Sequence, residues 1–357
     1  MPLPPKPEDF SNRQMDLFRS LLCNSDDERG CLSNTFDLWD SIPRYVLSRQ
    51  QQEKWRKAGN FPSLYEVSFK YRGRQLTATI QPASVKGRDG VIRTYFPSAN
   101  EELIEDVLRK IAAEQGNGYY DPRDRRSGVV FTLHMLRKEL ERRRHGRPYH
   151  DIILSLEIMA RSVIITNTSD GQEGDFKSNS LYLNNLFRAS KEKLAEDPEA
   201  KWSADFHPFA SQALDDLSYR QFNYARLMTH RNQLTRWLNK VLCLKYLNAS
   251  FVNPFEMRLS TISRDSGLLK GYARHRDVLG AVDAAFNELT SCSPPLLGGS
   301  PDKELVRGAR NKVVDVIYTL RPAREFVAEV KAASKRLSVS EESLGIGSRS
   351  RCTARAR

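Results

Sequence analysis

Cysteine is scarce: five residues in 357, at 23, 31, 243, 292 and 352. No two form a Cys-x-x-Cys pair and the count is odd, so neither a zinc site nor a disulfide framework is supported. The six histidines fall in no ligand spacing, and the His-hydrophobic-His pair that rolling-circle nicking enzymes use to hold metal is missing. A Gly-x-x-x-x-Gly-Lys-Ser/Thr phosphate loop is missing too. These absences predict a chain with no metal or cofactor and no enzymatic step. No apolar run approaches the roughly 20 residues that span a bilayer. The start, Met1-Pro2-Leu3-Pro4-Pro5-Lys6-Pro7, is proline-rich and polar rather than a secretory leader. The expectation is a cytoplasmic protein with no membrane partner.

What the chain does have is positive charge. Lys and Arg number 56 against 44 Asp and Glu, a net charge of +12. That balance favours a polyanionic partner, and without membrane signals the partner is nucleic acid. Hydrophobic residues make up 39%, with 13 Tyr and 16 Phe, enough for real cores. The length predicts two domains plus tails.

Periodicity gives an order of elements. Residues 1–35 read as a flexible arm with one apolar cluster, Leu17-Phe18 to Leu22, and a short helix is expected around Ser48–Lys57. Tyr65–Phe69 and Gln75–Ile80 alternate at period two around Arg72-Gly73, a β-hairpin. Ser98 and Glu101 form a capping box ahead of Leu103, Ile104, Val107, Leu108 and Ile111. A strand at Val129–Phe131 is followed by a helix capped by Thr132, a turn at Arg142–Gly146, and a helix opened by Pro148. Val163–Thr166, a loop at Asp170–Gly174 and Leu181–Leu183 then read as two strands and their connection. Helix, strand, helix, turn, helix, strand, strand is the winged-helix order. The second half repeats it: a helix at Arg231–Asn248, a strand at Phe255–Leu259, a short helix from Ser260 to Gly267, a helix over 274–289 and a strand at Val313–Tyr318. A terminal helix opens near Pro322. The predicted fold is α+β: two tandem winged-helix domains, 36–200 and 201–337, between a flexible arm (1–35) and a disordered basic tail (338–357).

Three segments could carry function. Arg142, Arg143, Arg144 and Arg147 cluster at the first helix-helix turn, where they could neutralise phosphates or simply end a helix favourably. Lys270, Tyr272, Arg274, His275 and Arg276 lead the predicted second recognition helix. Such residues meet base edges and phosphates in the major groove, and cations at a helix N-terminus have no structural advantage there. Gln14-Met15-Asp16-Leu17-Phe18 reads either as a docking peptide or as part of a helical stripe that packs on the body. A nuclease reading of Asp315 with Glu329 and Lys331 is weak, because Glu329 and Lys331 fall in a predicted helix.

Over roughly residues 90–335 the chain resembles theta-type plasmid replication initiators of the TrfA/RepA iteron-binding type. The resemblance rests on Ser127–Leu136, Phe206-His207-Pro208-Phe209 with Tyr219–Tyr224, and Leu259–Gly267. It implies two winged helices. The C-terminal one would read bases; the N-terminal one would contact the backbone or mediate a homodimer. It further implies double-stranded origin DNA with direct repeats as ligand, a host helicase or helicase loader as partner, and no catalytic residues. TrfA-like initiators carry a sliding-clamp peptide of the form Gln-Leu-Ser/Asp-Leu-Phe, which Gln14–Phe18 matches except at Met15. The rival readings are a transcriptional repressor of the same fold, the metal-dependent nuclease, and a winged-helix scaffold without sequence preference.

Overall fold

Local rules account for most of the elements in the computed structural model, which describes residues 31–87, 89–113, 117–121, 123–168, 177–190, 197 and 199–343. The chain opens on β1 (Leu32–Phe36), α1 (Asp37–Ser41) and α2 (Arg49–Lys57), followed by two hairpins: β2 (Tyr65–Tyr71) with β3 (Arg74–Gln81), and β4 (Ala83–Lys86) with β5 (Ile92–Tyr95). Next come α3 (Ala99–Ala113), β6 (Gly118–Asp121), β7 (Arg126–Phe131), α4 (Leu133–Arg142), α5 (Tyr149–Met159), β8 (Val163–Thr168), β9 (Lys177–Leu181) and β10 (Leu183–Phe187). β11 (Trp202–Phe206), α6 (Pro208–Asp215), β12 (Tyr219–Asn223) and α7 (Tyr224–Leu227) lead into the second half. That half is α8 (Gln233–Lys245), β13 (Phe255–Arg258), α9 (Leu259–Ser266), α10 (His275–Ser291), β14 (Asp302–Arg307), β15 (Val313–Leu320) and α11 (Arg324–Ser343).

The expected signals operate where they were read. Ser98 and Glu101 form the capping box, with Ser98 N–H donating to Glu101 Oε2 at 2.7 Å. Thr132 Oγ1 accepts from Met135 N–H at 3.1 Å. The β2–β3 turn places Arg72 at φ 46° and Gly73 at φ 84°, the left-handed pair that a tight hairpin needs.

The winged-helix order of elements occurs twice, in α3-β7-α4-α5-β8-β9 and in α8-β13-α9-α10-β14-β15. Only the second closes its own sheet, with strand order β13-β15-β14. In the first, β7 leaves to join β10-β11-β7-β6, while β8 and β9 extend the early hairpin as β2-β3-β8-β9. The boundary expected at residue 200 does not separate the sheets, since β11 pairs antiparallel with β7, Trp202 opposite Phe131. The arm also ends earlier than expected. Leu32–Phe36 is a strand, paired with β12 from Leu32↔Asn223 to Phe36↔Tyr219. At the other end α11 runs to Ser343, into the segment read as disordered tail. The loop at Asp170–Gly174 lies outside the described residues.

One hydrophobic core runs through both halves, from Phe36 and Trp39 to Phe326 and Val330. α3 lies at its centre, buried on every side. The cost is that its charges are buried too, and buried charges must be paired. Asp40 accepts from Arg44 (3.0 Å) and Arg109 (2.8 Å). Glu105 accepts from Arg44 (2.9 Å), Arg109 (2.5 Å), Tyr45 Oη (2.5 Å) and Trp39 Nε1 (2.5 Å). Burial alone would raise both carboxyl pKa values. Arg109 and Arg44 overcome it, holding Asp40 at about 2 and Glu105 further below its ordinary value. Two more pairs cross from α3 to α8: Glu102 with Arg236 at 2.9 Å and Asp106 with Lys240 at 2.7 Å. The winged-helix units are therefore bolted together by ion pairs inside one core.

Two buried histidines set the acid limit. His207 stacks on Trp39 (ring centroids 4.1 Å apart), and its Nδ1 accepts the Phe209 N–H at 3.1 Å. Burial lowers its pKa to about 3 and that of His230 to about 4. Both depressed values favour the neutral ring in the folded state. Their contribution is complete above pH 6.5 and is lost as pH falls from 6.5 towards 3–4. At about 1.4 kcal/mol per unit, the loss reaches several kcal/mol. Melting temperature is expected to drop between pH 6.5 and 5, before ordinary carboxylates titrate. A flat profile over that window in thermal melts would contradict this assignment.

Candidate nucleic-acid interface

In the second unit, α9 and α10 form the helix-turn-helix. A carboxylate from another element starts α9: Asp315 on β15 accepts the Ser260 N–H at 3.0 Å and the Ser260 Oγ–H at 2.6 Å. Gly267 ends it at φ +66°. A Cβ there would lie 2.7 Å from Val46 Cγ1, so the turn sits directly on the segment before α2. Leu269 is buried and anchors the turn. α10 packs its Val282, Ala285, Phe286 and Leu289 inward.

Everything from Lys270 to Asp277 is exposed. Arg274 occupies the N-cap position without a side-chain cap. Arg276 has Asp277 at 3.4 Å, an exposed pair. Lys270, Tyr272, Arg274, His275 and Arg276 thus lie together, as expected, on the turn and first turn of α10. Beyond them the outward positions are Gly280, Ala284 and Asn287. Two small residues leave the helix slim enough to enter a groove, and an Asn amide can pair with adenine.

The wing adds cations that sequence reading missed. β14 pairs with β15 from Asp302↔Thr319 to Arg307↔Val313. The connection holds Arg310 and Asn311 at φ 58° and 57°, and Gly308 N–H donates to Lys312 O at 2.8 Å. Arg307, Arg310 and Lys312 are all exposed there. Lys303 on β14 reaches back to Asp283 on α10 at 2.7 Å, tying wing to helix. Three cations around a tight loop were a usable signal.

The first unit is different. Arg142 and Arg143 both bond Glu139, at 2.5 and 3.0 Å, and Arg143 also covers the Tyr224 ring at 5.2 Å. Arg147 reaches Asn100 at 3.4 Å. Arg144 is exposed at φ +63°. The cluster surrounds the turn before α5, as expected. The outer face of α5 is not open, because Ile158 and Leu154 pack with Ala83 and Val85 of the β4–β5 hairpin. Arg161 closes the same seam by donating to Ser84 O at 3.2 Å. A helix roofed in this way cannot lay its face in a major groove, though its N-terminal turn stays accessible.

Asp315 and Glu329 have other occupations: Asp315 starts α9, and Glu329 accepts from Arg226 at 2.9 Å. Among the described residues no group of His, Cys, Asp or Glu could hold a metal ion, and no helix is long and apolar enough to cross a membrane. The peptide Gln14–Phe18 lies outside the described residues.

No protein-family profile and no curated protein matches the chain. Solved structures do. Domains 2 and 3 of RctB, as selenomethionine derivatives, overlay with a TM-score of 0.50 at 12% identity, covering 80% of this chain and 97% of that one. A second structure of RctB domains 2–3 gives 0.43 at 12% identity, covering 75% and 95%. The Pi initiator protein in complex with iteron DNA gives 0.33 at 11% identity, covering 63% and 94%. The first overlay establishes a shared fold across most of this chain.

Proposed function

We propose that this chain is a plasmid replication initiator that binds direct repeats in double-stranded origin DNA. The observation that carries the proposal is the exposed run Lys270–Arg276 at the head of α10, beside the basic wing at Arg307–Lys312. α10 reads bases and the wing holds adjacent phosphates. Arg144 and its neighbours before α5 supply a further phosphate contact, a role compatible with a roofed helix. The rigid joint between the units fixes the spacing of these contacts along the duplex. Bound copies then distort a neighbouring AT-rich stretch, and the deformation cost is offset by protein contacts. A host helicase or its loader follows. No covalent step is assigned to the chain.

The test is a competition band-shift. A duplex carrying direct repeats should outcompete scrambled duplex by at least about a thousandfold at fixed salt. Equal competition would leave phosphate contacts alone and remove the initiator reading. A palindromic site preferred over direct repeats would identify a repressor instead.

The resemblance noted for Gln14–Phe18 assigns those residues to the host sliding clamp. Leu17→Ala with Phe18→Ala should abolish clamp capture in a pull-down and leave repeat binding intact. Loss of both activities would make the segment structural.

A further inference from the structure

The wing of the second unit carries two exposed apolar side chains, Leu305 at 46% and Val314 at 59%. Leu305 lies on the regular part of β14, opposite buried Val316. Val314 is placed differently. Val306 pairs with Asp315 and Arg307 with Val313, so Val314 is an extra residue with no partner on β14. That is a β-bulge, a device that re-aims a side chain out of the regular pleat. The loop beyond it is braced, with the Arg307 guanidinium donating to Asn311 O at 3.1 Å. A Cβ on Gly308 would lie 2.8 Å from Val314 Cγ1, so the valine rests against bare glycine backbone. Bulge and glycine together hold an isopropyl group in solvent at the base of the wing loop.

The charges around it point to what it meets. Asp302 is paired with Arg321 at 2.5 Å and Lys303 with Asp283 at 2.7 Å. Asp315, beside Val314 in sequence, is buried and engaged by Ser260 of α9. What remains exposed on the wing is Arg307, Arg310 and Lys312 against Glu304, three positive charges to one negative. The Lys303–Asp283 tie makes this surface continuous with the cationic head of α10. From Lys303 to Arg307, β14 extends about 13 Å beyond the tie, and the loop reaches further. Half a helical turn of duplex, about 17 Å, separates a major groove from the next minor groove. With α10 in the major groove, the wing loop comes to the neighbouring minor groove and brings Val314 with it.

We infer that Val314 enters this minor groove and selects against guanine there; the inference rests on the reading that α10 and the wing bind duplex DNA. In the minor groove an A·T pair shows acceptors only, whereas a G·C pair adds the 2-amino group of guanine. An isopropyl group cannot accept from that amino group, and it displaces the water that would. A covered donor is then left without a partner, which costs far more than a hydrogen bond gains. The cations on either side hold phosphates and carry no base preference of their own. The chain therefore discriminates twice, by bonds from α10 in the major groove and by exclusion from Val314 in the minor groove.

Replacing guanine by hypoxanthine removes the 2-amino group and leaves the major-groove edge unchanged. An alternating I·C duplex thus offers the major groove of G·C with the minor groove of A·T. Fluorescence anisotropy of the full chain at fixed salt, on I·C and G·C duplexes about three helical turns long, reads the difference. The wild type should bind I·C about tenfold more tightly, the order expected for one unmade donor. Val314→Ser supplies an acceptor and Gly308→Ala pushes the valine aside; each should bring the two affinities together. Alanine at Arg310 and Lys312 should weaken both duplexes and keep their ratio. Equal affinities in the wild type, or a preference retained by Val314→Ser, overturn the inference while the direct-repeat competition can still succeed. A preference that depends on Val314 upholds it even if scrambled duplex competes equally and the initiator reading falls. Binding to neither duplex overturns both. Self-association lost in Val314→Ser, with the duplex ratio unmoved, assigns the valine to a protein contact and overturns the inference.

Discussion

Arg274→Ala combined with Arg276→Ala is expected to weaken binding to repeat DNA by roughly 30-fold to 10⁴-fold and to leave the fold unchanged. Each bidentate arginine contact to guanine is worth about 1–3 kcal/mol, so two remove about 2–6. Among the described residues, neither side chain holds another element in place. Both are exposed, and the Arg276–Asp277 pair at 3.4 Å is of a kind that contributes little. Removing cations from a helix N-terminus even relieves a small dipole penalty. Fluorescence anisotropy at fixed salt, beside a circular dichroism melt, measures both quantities. Unchanged affinity would place base reading elsewhere. Alanine at Arg310 and Lys312 should act differently, weakening all sequences alike and flattening the salt dependence, because phosphate contacts carry no sequence information.

Asp40→Ala is expected to cost about 3–5 kcal/mol of stability, a large share of the 5–15 typical of a whole domain. Asp40 accepts from the Phe36 N–H at 2.7 Å as well as from Arg44 and Arg109. Removing it leaves two buried guanidinium groups to share the one carboxylate of Glu105. The loss should appear as one shifted urea transition, since a single core joins both units. Two separate transitions, with the second unit unmoved, would mean that the α3–α8 ion pairs do not couple them. Asp40→Asn keeps an acceptor without the charge and should fall between.

Elements whose apolar spacing was regular were legible in the sequence: α3, α8, α10 and the β2–β3 hairpin. β14 was not, because Asp302–Arg307 is almost entirely exposed and its polar residues carry no alternation to detect. With β14 went the wing, and with the wing Arg307, Arg310 and Lys312. β1 and β12 were missed for another reason. Their partners lie far off in the chain, and pairing between distant segments leaves no mark in a local window. The capping of α9 by Asp315 is of that kind, and so is the roof over α5. The arginines before α5 were found by composition, but only packing distinguishes an open reading helix from a covered one.

The pairing of Leu32 with Asn223 also sets a timetable. The first strand leaves the ribosome about 190 residues before its partner. At the usual 5–20 residues per second, that is a wait of roughly 10–40 seconds. Throughout it β1 is an unpaired edge, open to strands of neighbouring nascent chains. Synthesis rate and chaperone supply, as well as final stability, then bear on how much of the protein a cell obtains.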